Sequence, residues 1–312
     1  MLLLRRKRRT MEQDITTNSL LEYNDVFADI VNVNLLENRW SISAEDLEVV
    51  PTEGSYKDLE GTHHRLFRDS LRLVKSRGVC IAFIGCESQT AINRAMPVRD
   101  MGYNYVTYIK QIREIVAENT KMGRSAYAEV LHDNEKLIPV VTVVLYFGKK
   151  PWTTPLSLMD ILEIPEKERD LWKKLINDHK ITVIHMANQP EEIRAGYRSD
   201  FKVIADYLSY AGDREKLIEY LRNNTQPLLH VEQVLDMLHA LSGDNRFQTV
   251  LDHYKILDNL EEKEKKIRCV CYWILLRKKE SLRESLRESL KEPIKHSFPK
   301  SAKRFKRGNL RR

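Results

Sequence analysis

The sequence predicts an α/β protein, with a sheet-centred first half and a helical second half. Three observations carry this. Two long apolar runs, VCIAFIG (79–85) and IPVVTVVLYFG (138–148), have the length and composition of buried strands. A shorter run, ITVIHM (181–186), is a third candidate strand. From about Glu191 to Leu241 the apolar spacing is mostly helical.

The elements follow in order. Residues 19–36 carry Leu20, Tyr23, Phe27, Ile30, Val31 and Leu35 at helical spacing, and Ser19 can cap the start. A polar loop with Pro51, Gly54 and Gly61 comes next. LFRDSLRLV (66–74) and VCIAFIG flank a turn at Ser76-Arg77-Gly78 and read as a hairpin. Its second strand is apolar on both faces, which predicts a central place in the sheet. Pro97 opens a helix. The apolar stripe of that helix is Met101, Tyr105, Tyr108, Ile109, Ile112, Ile115 and Val116, so Tyr105 and Tyr108 are expected in the core. Near the end, ESLRESLRESLKE is a four-residue repeat able to form a helix, with Leu282, Leu286 and Leu290 on one stripe. Beyond Pro293 the chain is basic and poor in apolar residues, the composition of disorder.

Composition narrows the function classes. At 312 residues and 42% hydrophobic content the chain can bury a sizeable core. No apolar run approaches the roughly 20 residues of a membrane span, and MLLL precedes its basic block in the wrong order for a signal peptide. No partner in a membrane is expected. Cys80, Cys86, Cys269 and Cys271 form no CxxC pair, which argues against zinc and fits a reduced, cytoplasmic setting. Cys80 and Cys86 read as buried thiols. The net charge of +7 is unevenly placed. The first ten residues hold five Lys/Arg and no acid, and residues 263–312 hold eighteen against five, so residues 11–262 carry −11. A nucleic-acid reading based on charge therefore rests on the two ends alone. No phosphate-binding glycine loop, Ser-His-Asp signature or HExxH motif is present.

The chemistry-bearing pair is Asp69 and Glu87. They stand 18 residues apart around the hairpin turn, so folding back on that turn brings two carboxylates together. Glu87 follows an unbroken apolar strand. Two acids at adjacent strand ends can hold Mg²⁺, a hard cation that prefers oxygen ligands, and Asp25 or Asp29 on the first helix could add a ligand. The plainer alternative is a pair of surface acids flanking a hairpin. Arg99 and Tyr103 could face the site, with ordinary packing as the simpler assignment. His63 and His64 could touch DNA or metal, or only occupy a loop. Lys149, Lys150 and Trp152 follow a strand end, where either a phosphate contact or a structural turn would suit them.

The stretches RDSLRLVKSRGVCIAFIGCESQT and MPVRDMGYNYVTY resemble the recombination-promoting nuclease family, also described as PD-(D/E)XK nuclease family transposases. The resemblance runs through LEYNDVFADIVNV (21–33), LYFGKKPW (145–152), YRSDFKVIADYL (197–208) and HVEQVLDMLHALSGDNRF (230–247), covering roughly residues 20–250. It implies a restriction-endonuclease-like mixed sheet flanked by helices and Mg²⁺-dependent hydrolysis of DNA phosphodiesters. Carried over by motif, Asp69 and Glu87 are the metal-binding acids. Gln89 falls where the superfamily has lysine; the family itself commonly has Glu-x-Gln. Glutamine can hydrogen-bond an attacking water but brings no charge. DNA is the implied partner, and a homo-oligomer is compatible with the reading. The alternative is a catalytically weak nuclease-fold protein that binds DNA or another protein.

The implied organisation is a basic extension (1–18), a nuclease-like domain (19–190), a helical region packed on or following that core (191–262) and a basic, repeat-bearing tail (263–312). Met11 offers a natural start. The repeat replaces the glycine-bearing repeats with which the family often ends, as a frameshift near Arg268 would produce.

Overall fold

A computed structural model describes residues 18–256, except 37–39, 58–62, 77, 124–130 and 225–226. The basic extension up to residue 17 and the repeat-bearing tail lie outside the described residues. The chain is an α/β protein: a five-stranded mixed sheet flanked by helices, followed by a helical C-terminal part.

The first helix, α1, spans Asn24–Asn34, shorter than the expected 19–36 because Glu22 and Tyr23 form a turn that separates it from a helical segment at 18–21. Then come β1 (Leu47–Val49), β2 (Glu53–Lys57), β3 (His63–Phe67), β4 (Ser70–Ser76) and β5 (Val79–Gln89). A long helix, α2 (Met96–Lys121), has proline in its first turn and connects β5 to β6 (Val140–Tyr146). The rest comprises α3 (Arg169–Leu175), β7 (Thr182–His185), α4 (Glu191–Arg194), α5 (Phe201–Tyr210), α6 (Arg214–Asn223), α7 (Val231–Ser242) and α8 (Asn245–Ile256).

The sheet order is β1-β4-β5-β6-β7. β1, β4 and β5 are antiparallel neighbours, whereas β5, β6 and β7 run parallel. β5 is therefore central, as its two apolar faces predict. The hairpin turn also falls where expected, with Gly78 at φ +79°, the left-handed conformation that glycine adopts without a Cβ clash.

Two strand expectations need correction. The run 66–74 is not one strand. It breaks at Arg68-Asp69, and the preceding β3 pairs with β2 in a separate two-stranded sheet. β5 also does not stop at Gly85. Its parallel partner β6 carries the pairing on through Glu87–Val144 to Gln89–Tyr146, so Glu87 lies inside the strand.

Alternate residues of β5 point to opposite faces. Ile84 and Cys86 join one large apolar core with Phe27 and Ile30 of α1, Val143 and Leu145 of β6, Phe201 of α5, and Leu235 of α7. The buried Arg72 ties α1 to the hairpin: its Nε donates to Asn24 Oδ1 at 2.8 Å and its Nη2 to the Glu22 carbonyl at 2.8 Å. The other face is covered by α2. There the expected apolar stripe holds only in part: Ile109, Ile112, Ile115 and Val116 are half-buried and Tyr108 packs against Leu71, Phe83 and Val140, but the start of the stripe faces solvent. Tyr105 is 58% exposed and Met101 is also exposed, while Tyr108 is half-buried and offers its hydroxyl to the Val140 N–H at 3.1 Å. The residues that α2 buries are mostly polar: Asp100, Tyr103, Thr107 and Gln111. The sheet surface beneath them is mixed: Glu87 and Thr142 stand among the apolar Leu71, Phe83, Val140 and Val144. Cys86 is buried as expected, but Cys80 is exposed, because β5 begins beyond the packed part of the sheet.

Candidate active site

Glu87 faces α2 from the central strand, on the same side as Phe83 and Gly85. Asp69 immediately precedes β4, whose first registered pair is Ser70 with Cys86, so the hairpin sets Asp69 beside Glu87. Asp69 is fixed there by accepting the Ser88 N–H at Oδ2, 2.7 Å away. The structure thus brings the two expected acids together.

Glu87 is only 2% exposed. Its Oε1 takes three donors: Arg99 Nη2 at 2.7 Å, Gln89 Nε2 at 3.1 Å and the Tyr103 hydroxyl at 3.2 Å. Arg99 also donates to the Tyr103 hydroxyl at 2.6 Å. Arg99 and Tyr103 are one helical turn apart, which is why both reach one oxygen. Glu87 Oε2 is buried and has no hydrogen-bond partner among the described residues. An unpaired buried carboxylate oxygen is costly and calls for a physical reason.

The electrostatics follow from burial. Desolvation, reinforced by the Asp69 charge, raises the Glu87 carboxyl to about 7, against the opposing pull of Arg99 and Tyr103. Burial beside Glu87 pushes the Tyr103 phenol to about 12. Burial works against the Arg99 charge, but Glu87 and Tyr103 more than offset it, and its pKa rises. Arg99 therefore stays cationic.

A second polar layer lies beside the first. Arg68 is 3% exposed and threads over Gly85, where a Cβ would come within 2.3 Å of its Cδ. Glycine at this position leaves the arginine its channel. Arg68 Nη2 and Thr142 Oγ1 both donate to Asn104 Oδ1, at 3.1 and 2.9 Å. Asn104 Nδ2 in turn donates to Asp100 Oδ2, which also meets His179 Nε2 at 2.6 Å. Arg68 Nε and Nη1 and Asp100 Oδ1 have no partner among the described residues. Burial lowers the Arg68 pKa and raises that of Asp100, despite their mutual attraction.

The donor set suits Mg²⁺, which commonly takes one or two carboxylates and completes its shell with waters and substrate phosphates. The partnerless Oε2 is an acceptor open to a cation. No third protein ligand joins the pair: the described residues contain no group of three or more His, Cys, Asp or Glu able to hold a metal. Asp25 sits elsewhere. Its helix covers the face to which Cys86 points, and both of its oxygens lie 3.0 Å from His230 Nε2. Asp29 is committed to the backbone, accepting the Arg198 and Ser199 N–H groups at 2.8 and 2.7 Å.

Lys149 and Lys150 are exposed just past β6, three and four residues after Tyr146, the register partner of Gln89. Trp152 is half-buried, with its ring edge against Tyr146 at 5.1 Å. His63 and His64 fall on β3, but their side chains lie outside the described part. The residues that sequence reasoning underrated are Arg99 and Tyr103, together with Arg68. For Tyr103 a signal was available: Asp100, Tyr103, Thr107 and Gln111 recur at helical spacing, a polar stripe as regular as the apolar one, and Arg99 stands one turn before Tyr103.

Compared with known proteins, the chain matches no family model, no curated protein and no solved structure. No described helix is long and apolar enough to cross a membrane.

Proposed function

We propose that the chain is a Mg²⁺-dependent DNA endonuclease of the recombination-promoting nuclease type, acting in the cytoplasm in recombination or mobile-element biology. The observation that carries this reading is the buried Glu87, with one oxygen unpartnered, beside Asp69 on the central hairpin. The sequence resemblance assigns the same two acids. Asp69 and Glu87 would hold the ion. When bound, Mg²⁺ would supply a Lewis acid for the phosphodiester and a water of lowered pKa. Gln89 would orient the attacking water through its amide, and Lys149 and Lys150 would contact flanking phosphates.

A second reading rests on two observations. Residues 11–262 carry a net charge of −11, the wrong sign for holding DNA. Gln89 spends its amide on Glu87 and brings no charge. Both favour a catalytically weak nuclease-fold protein that binds DNA or a partner.

Supercoiled plasmid incubated with the full chain and Mg²⁺ separates the two. The first reading expects nicking by the wild type and at least a hundredfold loss, in order of magnitude, in Asp69→Ala and Glu87→Ala. Cleavage that survives both substitutions refutes the site. Plasmid binding without cleavage by the wild type favours the second reading.

A further inference from the structure

We infer that Arg99 is a displaceable counter-ion for Glu87 and, once displaced, the cation that meets the substrate phosphate. This inference rests on the proposed nuclease reading and assigns the charge that Gln89 lacks.

The ion pair is lopsided. Its Glu87 end is 2% exposed and its Arg99 end 38% exposed, at 2.7 Å. A carboxylate buried to that extent needs a compensating charge, and Arg99 provides it from a position still open to solvent. The other nearby guanidinium, Arg68, cannot move outward. It is 3% exposed, threaded over Gly85 and held by Asn104. Gln89 is neutral, and its amide already donates to the same Glu87 oxygen.

Charge balance then gives Arg99 a second task. As carboxylates, Asp69 and Glu87 together carry two negative charges, which a divalent ion neutralises. With the ion in place the guanidinium is in surplus. The solvent-open surplus charge beside the site suits a phosphodiester, which carries one negative charge and presents two oxygens to a planar fork of N–H donors. Arg99 Nη2 leaves Glu87 Oε1 and pairs with a phosphate oxygen; no covalent bond is made or broken. Tyr103 lies under both positions, with its ring 5.7 Å from the Arg99 guanidinium carbon and its hydroxyl 2.6 Å from Nη2. It can keep the side chain at the site during the exchange.

The test compares full-length wild type, Arg99→Gln, Arg99→Lys and Asp69→Ala. It uses calorimetric titration with Mg²⁺ in the absence of DNA, and plasmid cleavage in its presence. A counter-ion competes with the metal, so Arg99→Gln is expected to bind Mg²⁺ about tenfold more tightly than wild type. The same variant is expected to lose cleavage by about a hundredfold or more, mostly in kcat. Those opposite movements are the signature, because a merely structural residue would weaken both. Arg99→Lys keeps the charge and loses the fork. It is expected to hold wild-type metal affinity and recover part of the cleavage. If Arg99→Gln does not fold by circular dichroism, Arg99→Lys decides, and loss of metal affinity in it overturns the inference. Unchanged or weaker Mg²⁺ binding by a folded Arg99→Gln overturns it, as does cleavage within threefold of wild type. In the latter case, loss of cleavage in Asp69→Ala leaves the nuclease reading standing. If the wild type does not cut at all, the nuclease reading fails, and the calorimetric comparison alone decides whether Arg99 opposes metal binding.

Discussion

The two faces of the central sheet are built on opposite principles. Toward α1, α5 and α7 the sheet presents Ile84, Cys86, Val143 and Leu145 to Phe27, Ile30, Phe201 and Leu235, a continuous apolar core. Toward α2 it presents Gly85, Glu87 and Thr142 to Arg68, Asp100, Tyr103 and Asn104, and the apolar groups there are small and separate. One strand, β5, serves both, because its side chains alternate. The large apolar core lies on one face, and the candidate site lies on the other. The face with the candidate site retains buried donors and acceptors that have no partner among the described residues, at Arg68, Glu87 and Asp100. An interior selected for stability alone would not leave them unpaired.

The largest effect should come from breaking the apolar face. Phe27 is fully buried in the main core, and its ring also lies 5.2 Å from the Arg72 guanidinium carbon. Phe27→Ala is expected to cost about 3–5 kcal/mol of unfolding free energy, read from denaturant midpoints at constant m-value. A loss under about 1 kcal/mol would mean that stability is not concentrated on this face.

Much of this arrangement is legible in the sequence. β5, β6 and β7 announce themselves as apolar runs, and the Ser76–Gly78 turn with the 18-residue spacing places Asp69 against Glu87. The unread parts share one cause. Periodicity finds an apolar stripe and assumes that it points inward. Over the first turns of α2 that assumption fails, where Met101 and Tyr105 are exposed, since the helix there covers a sheet face already occupied by Glu87 and Arg68. The groups that satisfy a buried carboxylate are arginine and tyrosine, so the inward stripe is polar and Arg99 escapes a search for apolar partners. The length of β5 was hidden for a related reason. Glu87 reads as a strand terminus until β6 is known to run parallel beside it. Sequence alone offers Asp25 or Asp29 as a further ligand without saying which face their helix covers. Only the tertiary fold shows that this helix lies on the other face, with Asp25 against His230.

The face with the candidate site should respond in the opposite direction. Folding raises the Glu87 pKa from 4.5 to about 7. The folded state then holds that proton more tightly than the unfolded chain, and stability falls as pH rises through this window. Glu87→Gln carries no such proton. In metal-free buffer its stability should match that of wild type below pH 4.5, gain steadily above it and level off past about pH 7. The gain there is about 3 kcal/mol, read as a difference in melting temperature across a pH series. The same variant should lose plasmid cleavage. Stabilisation with loss of function at one residue would be direct evidence that the face is arranged for chemistry. A wild-type-minus-variant difference that is flat in pH would remove that support.

The smallest effect separates the two stripes of α2. Gln111 brackets the chain before β6, donating from Nε2 to the Ile138 carbonyl at 3.1 Å and accepting the Ile138 N–H at 2.8 Å. Gln111→Ala strands both backbone groups and is expected to cost about 1–2 kcal/mol. Tyr105, six residues earlier on the apolar stripe, is 58% exposed. Tyr105→Ala is expected to change stability by no more than about 0.5 kcal/mol. The pair of measurements orients the helix without reference to the site. If the tyrosine proved the costlier loss, α2 would be turned with its apolar stripe inward. Arg99 and Tyr103, which lie on the polar side of the same helix, would then point away from Glu87.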